Sequence, residues 1–133
     1  MRVLITVAAG FGGSAVAALI EHGHHVIGLT RSPASALPPA SSDSTATSTH
    51  ASLPAALADV DGVCHLAGLT KVRDSRTNPV DYWRTNVGGT LAILHRLADA
   101  HVGRVVLAST CAAYGEQAEQ PISETAPVAP SSP

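Results

Sequence analysis

The chain has 133 residues, of which 45% are apolar, 14% charged and 3% aromatic, and its formal net charge is −2. A charged fraction well under the roughly 25% of ordinary domains, beside that apolar content, excludes a disordered acidic or basic tail and leaves a small aliphatic-rich domain. Eight lysines and arginines make no basic field, two cysteines make no disulfide scaffold, and no run nears the roughly 18 apolar residues of a membrane span, so a soluble cytoplasmic protein with neither nucleic acid nor membrane as partner is expected.

Val3-Leu4-Ile5-Thr6-Val7 is an unbroken β-favouring run of the kind buried on both faces of a parallel sheet. From Ser14 the spacing turns helical: Val16, Leu19 and Ile20 share one face, and Gly23 is placed to stop the helix in a left-handed conformation. His25-Val26-Ile27-Gly28-Leu29 reads as a second strand, which completes a βαβ unit. Across residues 31–54 the pattern is lost, 19 of the 24 being Ser, Thr, Ala or Pro. That is loop composition, and only 46–50 has the threonine content of a third strand.

Ser52 is placed to cap a short helix through Ala58, and Gly62-Val63-Cys64-His65-Leu66-Ala67 makes another buried strand, ending at Gly68. Residues 69–78 are polar and read as a loop. Pro79 then opens a long helix to about Ala100, with Val87, Leu91, Leu94 and Ala98 as its apolar face. Arg104-Val105-Val106-Leu107-Ala108-Ser109 is the last strand, and residues 116–133 read as a proline-rich tail. The alternation predicts an α/β fold: one Rossmann-like three-layer domain over residues 1–133, with a mainly parallel sheet that stops after the fifth strand position. Ligands of such sheets lie off the carboxyl ends of the strands where the order reverses, which gathers the segments after Val7, Leu29, Leu66 and Ser109.

The strongest chemical signal is Thr6-Val7-Ala8-Ala9-Gly10-Phe11-Gly12-Gly13 between a strand and a helix, where glycines let the backbone approach a pyrophosphate and the helix start supplies N–H donors. His22, His24 and His25 cluster at a helix end, where the dipole accounts for them; without an acidic or thiolate partner at ligand spacing, no metal is expected. Cys64 reads as a small buried side chain. Cys111 reads as a loop residue beside the cleft, with no identifiable base to activate it.

Five segments in order, Gly10 and Gly13; Thr30-Arg31; His65-Leu66-Ala67-Gly68; Asn86-Val87-Gly88-Gly89-Thr90; and Thr110-Cys111-Ala112-Ala113-Tyr114-Gly115, resemble the motifs of the extended short-chain dehydrogenase/reductase family. The likeness is strongest to the sugar-nucleotide enzymes of its NAD-dependent epimerase/dehydratase branch. It implies that Gly10, Phe11, Gly12 and Gly13 hold the pyrophosphate, Thr30 and Arg31 the adenosine ribose side, and Leu66, Ala67 and Gly68 the middle of the dinucleotide. Asn86 would order the strand ends. Ser109 would contribute to cofactor binding, and Thr110 is the residue of catalytic type, bonding a substrate oxygen.

Three departures qualify that likeness. Val7 stands where the family has its first glycine, so a bulky β-branched residue must take the turn or force a different one. Thr30-Arg31 stands in place of an acidic residue on the ribose, which favours NADP over NAD. The family's Tyr-x-x-x-Lys pair is absent, while the final Ala129-Pro130-Ser131-Ser132-Pro133 looks like the approach to its tyrosine. The implied function is therefore the cofactor-binding part of an epimerase, dehydratase or reductase acting on a nucleotide sugar. The alternative is a non-catalytic Rossmann-like binding or regulatory module. In either case the last strand is expected at an unprotected sheet edge, covered by a homodimer or a partner chain.

Overall fold

A computed structural model of the chain describes residues 1–7, 13–29, 46–49 and 59–133. Two compact units are formed, Met1–Ala67 with Thr90–Ala108, and Gly68–Gly89 with Ser109–Pro133. The anticipated cap and helix of 52–58 lie outside the described residues.

The first unit is built on a five-stranded parallel sheet of β1 (Arg2–Thr6), β2 (His25–Leu29), β3 (Ala46–Thr49), β4 (Gly62–His65) and β5 (Val105–Leu107). Its order is β3-β2-β1-β4-β5, so succession runs outward from β1 to β3 and then reverses to β4 on the other side of β1. The weak threonine-rich segment does form a strand: Val26 to Leu29 pair in register with Ala46 to Thr49. Ladder hydrogen bonding can thus recruit a segment with little side-chain bulk.

Strand alternation sends successive residues of β1 into two cores. Leu4 packs with Val63 of β4 and with Ile93 and Leu97 on one face, joined by Ile27, Leu29 and Val102. Ile5 packs on the other with Val16, Ile20 and Val26, joined by Leu19, Cys64 and Leu66. The first face is covered by α4 (Gly89–Asp99) and the second by α1 (Gly13–Glu21), giving the helix-sheet-helix layers expected of the α/β alternation.

Both helices stop in the same way. At α1, Gly23 takes φ +74°, with bonds from Gly23 N–H to the Ile20 carbonyl and from His24 N–H to Leu19. At α4, His101 takes φ +56°, with bonds from His101 N–H to Ala98 and from Val102 N–H to Leu97. Each is a Schellman termination, the second built on a residue that lacks glycine's freedom.

The sequence misassigned the buried side of α4. Ile93 and Leu97 are buried, while Val87, Leu91, Leu94 and Ala98 of the expected apolar face are exposed. The helix carries apolar residues over a wide arc, and contact with the sheet selects which part is covered.

In the second unit, the stretch read as a polar loop contains α2 (Val72–Thr77). Ser75 is buried there, its hydroxyl donating to the Val72 carbonyl at 2.6 Å. The long helix from Pro79 is present but passes through three geometries: α3 (Pro79–Tyr82), a π-helical stretch (Trp83–Gly88), then α4. Tyr82 is buried and donates to the Lys71 carbonyl at 2.7 Å, tying α3 to the residue that begins α2. A 3₁₀ turn at Cys111–Tyr114 follows, and beyond it the chain is irregular, as the prolines suggest.

Candidate functional site

β1 and β4 are cross-strand neighbours with Thr6 opposite His65, and period-two alternation aims both side chains at the α4 face. Both are almost fully buried, with 2% and 4% of their surface exposed. Thr6 Oγ1 lies 3.0 Å from His65 Nδ1 and accepts from the backbone N–H of Leu66 and of Ala67, each at 2.9 Å. His65 Nε2 lies 3.1 Å from Thr90 Oγ1, carried by α4 one turn before Ile93.

The inventory of donors fixes the protons in this chain. A threonine hydroxyl has one proton and two lone pairs. Both amides can only donate, so they occupy the lone pairs, and the Thr6 proton must go to His65 Nδ1. His65 is therefore the neutral tautomer with its proton on Nε2, which donates to Thr90. Burial agrees with this state, since desolvation pushes the imidazole below its ordinary value of 6.5.

The turn out of β1 starts with Val7 at φ +55°, its N–H bonded to the Leu29 carbonyl at 2.9 Å. The backbone thus keeps the left-handed conformation that a glycine would take, at the cost of a β-branched residue held there. Gly10, Phe11, Gly12, Thr30 and Arg31 lie outside the described residues. Gly13 is the first residue of α1.

Of the sequence-derived residues, the first unit brings Leu66 and Ala67 together on Thr6. In the second unit, Asn86 holds the chain just after Gly68: its Oδ1 accepts from Leu69 N–H at 2.7 Å and its Nδ2 donates to the Leu69 carbonyl at 3.0 Å. A Cβ on Gly68 would come within 3.2 Å of that Oδ1, so the residue type permits the approach. Asn86 lies in the π-helical stretch, a geometry frequent at functional sites.

Ser109 and Thr110 are also in the second unit and exposed. Thr110 Oγ1 accepts from Ala112 N–H at 3.2 Å and so begins the 3₁₀ turn, keeping its hydroxyl proton for donation. That turn is anchored by Ala129 N–H donating to the Ala113 carbonyl at 3.0 Å, and by Gln117 bonding the Tyr114 carbonyl. Gly115, at φ +65°, lies where any Cβ would collide with the Ala129 carbonyl.

Two members of the constellation, Thr6 and Thr90, stand inside the motifs but were not singled out as site residues. Each is the threonine of its motif, the first before the glycine-rich turn and the second closing Asn86-Val87-Gly88-Gly89-Thr90. The donor set at the β1–β4 switch point is neutral, made of backbone groups, hydroxyls and one uncharged imidazole. Among the described residues no cluster of three His, Cys, Asp or Glu could hold a metal ion. A strand reversal between β1 and β4, with α1 following β1, is the place where sheets of this kind bind their ligands.

The family model for the NAD-dependent epimerase/dehydratase family matches residues 3–133. UDP-glucose 4-epimerase of Halalkalibacterium halodurans is 34% identical over the whole chain, which covers 42% of that protein, and that of Streptomyces lividans is 47% identical over 55% of the chain and 22% of that protein. Among solved structures, UDP-glucose 4-epimerase of Stenotrophomonas maltophila, with bound NAD and formylated UDP-arabinopyranose, superimposes with a TM-score of 0.78 at 29% identity, over 97% of this chain and 43% of its own. MoeE5, in complex with UDP-glucose and NAD, does so with a TM-score of 0.82 at 34% identity, over 99% and 44%. The chain thus spans less than half the length of these relatives.

Proposed function

This chain belongs to the NAD-dependent epimerase/dehydratase family, and from that membership we propose that it is the cofactor-binding part of an enzyme that epimerises, dehydrates or reduces the sugar of a nucleotide sugar. The observation that carries the reading is the sheet reversal between β1 and β4, with the Leu66 and Ala67 amides fastened beside it on Thr6. When bound, the nicotinamide supplies a reversible hydride acceptor for a sugar carbon.

The chain's own residues position the reactants. Gly10, Phe11, Gly12 and Gly13 take the pyrophosphate, and Thr30 and Arg31 take the adenosine ribose side. Leu66, Ala67 and Gly68 line the middle of the dinucleotide. Asn86, by holding Leu69 through both backbone groups, sets the course of the loop after β4. Ser109 adds to the cofactor side, and Thr110, with its proton unspent on the 3₁₀ turn, donates to an oxygen of the sugar.

Titration of NADH and of NADPH against the 133-residue chain tests the reading. Saturable binding is expected, tighter for NADPH if the Arg31 guanidinium meets a 2′-phosphate. Absence of binding by either at millimolar concentration overturns it. A second reading, a binding or regulatory module without chemistry, is favoured by Val7, a β-branched residue held at φ +55° where the family has its first glycine. Joining the chain to the downstream half of a full-length relative that carries the Tyr-x-x-x-Lys separates the two: turnover of a nucleotide sugar supports the enzyme reading, whereas cofactor binding without turnover favours the module.

A further inference from the structure

We propose that His65 is a proton-sensitive positioning residue, whose neutral imidazole keeps both the Leu66 and Ala67 amides bound to Thr6 and whose protonation releases one of them. The functional consequence rests on the reading that this turn lines the dinucleotide. The latch itself rests only on the hydrogen bonds.

With His65 neutral, every position of the chain is used once. Leu66 and Ala67 fill the two lone pairs of Thr6 Oγ1, the Thr6 proton fills Nδ1, and the Nε2 proton goes to Thr90. A proton taken from solvent onto Nδ1 turns that atom from acceptor to donor. Thr6 Oγ1 can then accept it only by giving up one of the two amides, and the Thr6 proton loses its acceptor as well. The released N–H belongs to Leu66 or Ala67, the residues leaving β4 at the switch point.

Among the described residues the His65 ring bonds the hydroxyls of Thr6 and Thr90, and neither carries a charge to offset the new one. On β1 the titratable residue is Arg2 at the opposite end, its backbone N–H bonded to Asp61 just before β4. On β4 it is Cys64, which faces the other core. Arg104 precedes β5, and on α4 the groups are His95, Arg96 and Asp99, joined to one another as exposed pairs at 3.6 Å. Among the described residues none of these bonds His65, and burial alone already disfavours its charged form.

The test follows the ring and the turn separately from the nucleotide. Nitrogen-15 NMR of the chain at about pH 7.5 is expected to show His65 Nδ1 unprotonated and Nε2 protonated; the opposite tautomer overturns the proposal. As acidification titrates the ring, the Leu66 or Ala67 amide resonance is expected to move together with it, and NADH affinity to fall about fivefold, the effect of one lost bond. In His65→Asn, whose Oδ1 can accept the Thr6 proton and does not titrate, that pH dependence is expected to vanish. Should the variant fail to fold, the wild-type amides still decide: amides that stay still while the ring titrates overturn the latch. Coupled movement of ring and amides without NADH binding sustains the latch and removes the functional reading, whereas NADH binding with uncoupled amides removes only the latch.

Discussion

Val7 shows how far a single residue type can be read in advance. A β-branched residue at a glycine position announces a conflict, and the structure resolves it by keeping the glycine's backbone at φ +55°. Left-handed strain costs about 1–2 kcal/mol, partly offset by the entropy of about 0.5–1 kcal/mol that glycine loses on folding. Val7→Gly is therefore expected to raise stability by about 1 kcal/mol and the melting temperature by about 3–5 °C. A thermal melt in which the variant unfolds earlier than wild type would contradict this. His65 was less legible. Its motif was recognisable, but the side chain is a link in a hydrogen-bond chain whose other members, Thr6 and Thr90, lie 59 and 25 residues away. No spacing rule reaches across such distances.

At the scale of elements, β1, α1, β2, β4 and β5 were all legible, because buried parallel strands and the helix between them write strong periodicities. The misread elements share a cause. Residues 72–77 form a helix whose anchorage is Ser75 and the Tyr82 hydroxyl rather than an apolar stripe, so no periodicity marks it. For α4 the apolar residues cover more of the circumference than the sheet can bury, so the pattern admits two faces. β5 confirms the expected edge: β4 lies on one side, no described strand lies on the other, and Val105, Val106 and Leu107 are all exposed. Such an edge is a template for pairing with another chain. Concentration-dependent association is expected in sedimentation velocity, and Val106→Lys is expected to reduce it by placing a charge on the edge. A wild type that stays monomeric as concentration rises contradicts the prediction.

At the scale of the whole molecule, two of the described groups, His65 and Cys64, have burial-shifted titration that bounds its pH range. His65 is pushed below 6.5, so the folded state binds fewer protons there than the unfolded chain, and its contribution is present above 6.5 and lost as the pH falls through the lowered value. Cys64 is pushed above 9.0 by burial, so its contribution is present below 9.0 and lost as the pH rises through the raised value. Urea unfolding across pH is expected to show a plateau between these values with a decline on each side; for His65→Asn the decline just below 6.5 is expected to shrink. Stability that rises as the pH falls below 6.5 would contradict the assignment. The sequence by itself determined the α/β alternation, the parallel character of the sheet and the motifs that carry family membership, because these are written in contiguous residues whose spacing follows from backbone geometry. Only the tertiary structure decided which face of α4 is buried, that the threonine-rich segment joins the sheet beside β2, and that Thr6, His65 and Thr90 form one hydrogen-bonded line. Those outcomes depend on which partners meet across the sheet, and pairing between segments far apart in the chain leaves no local signature.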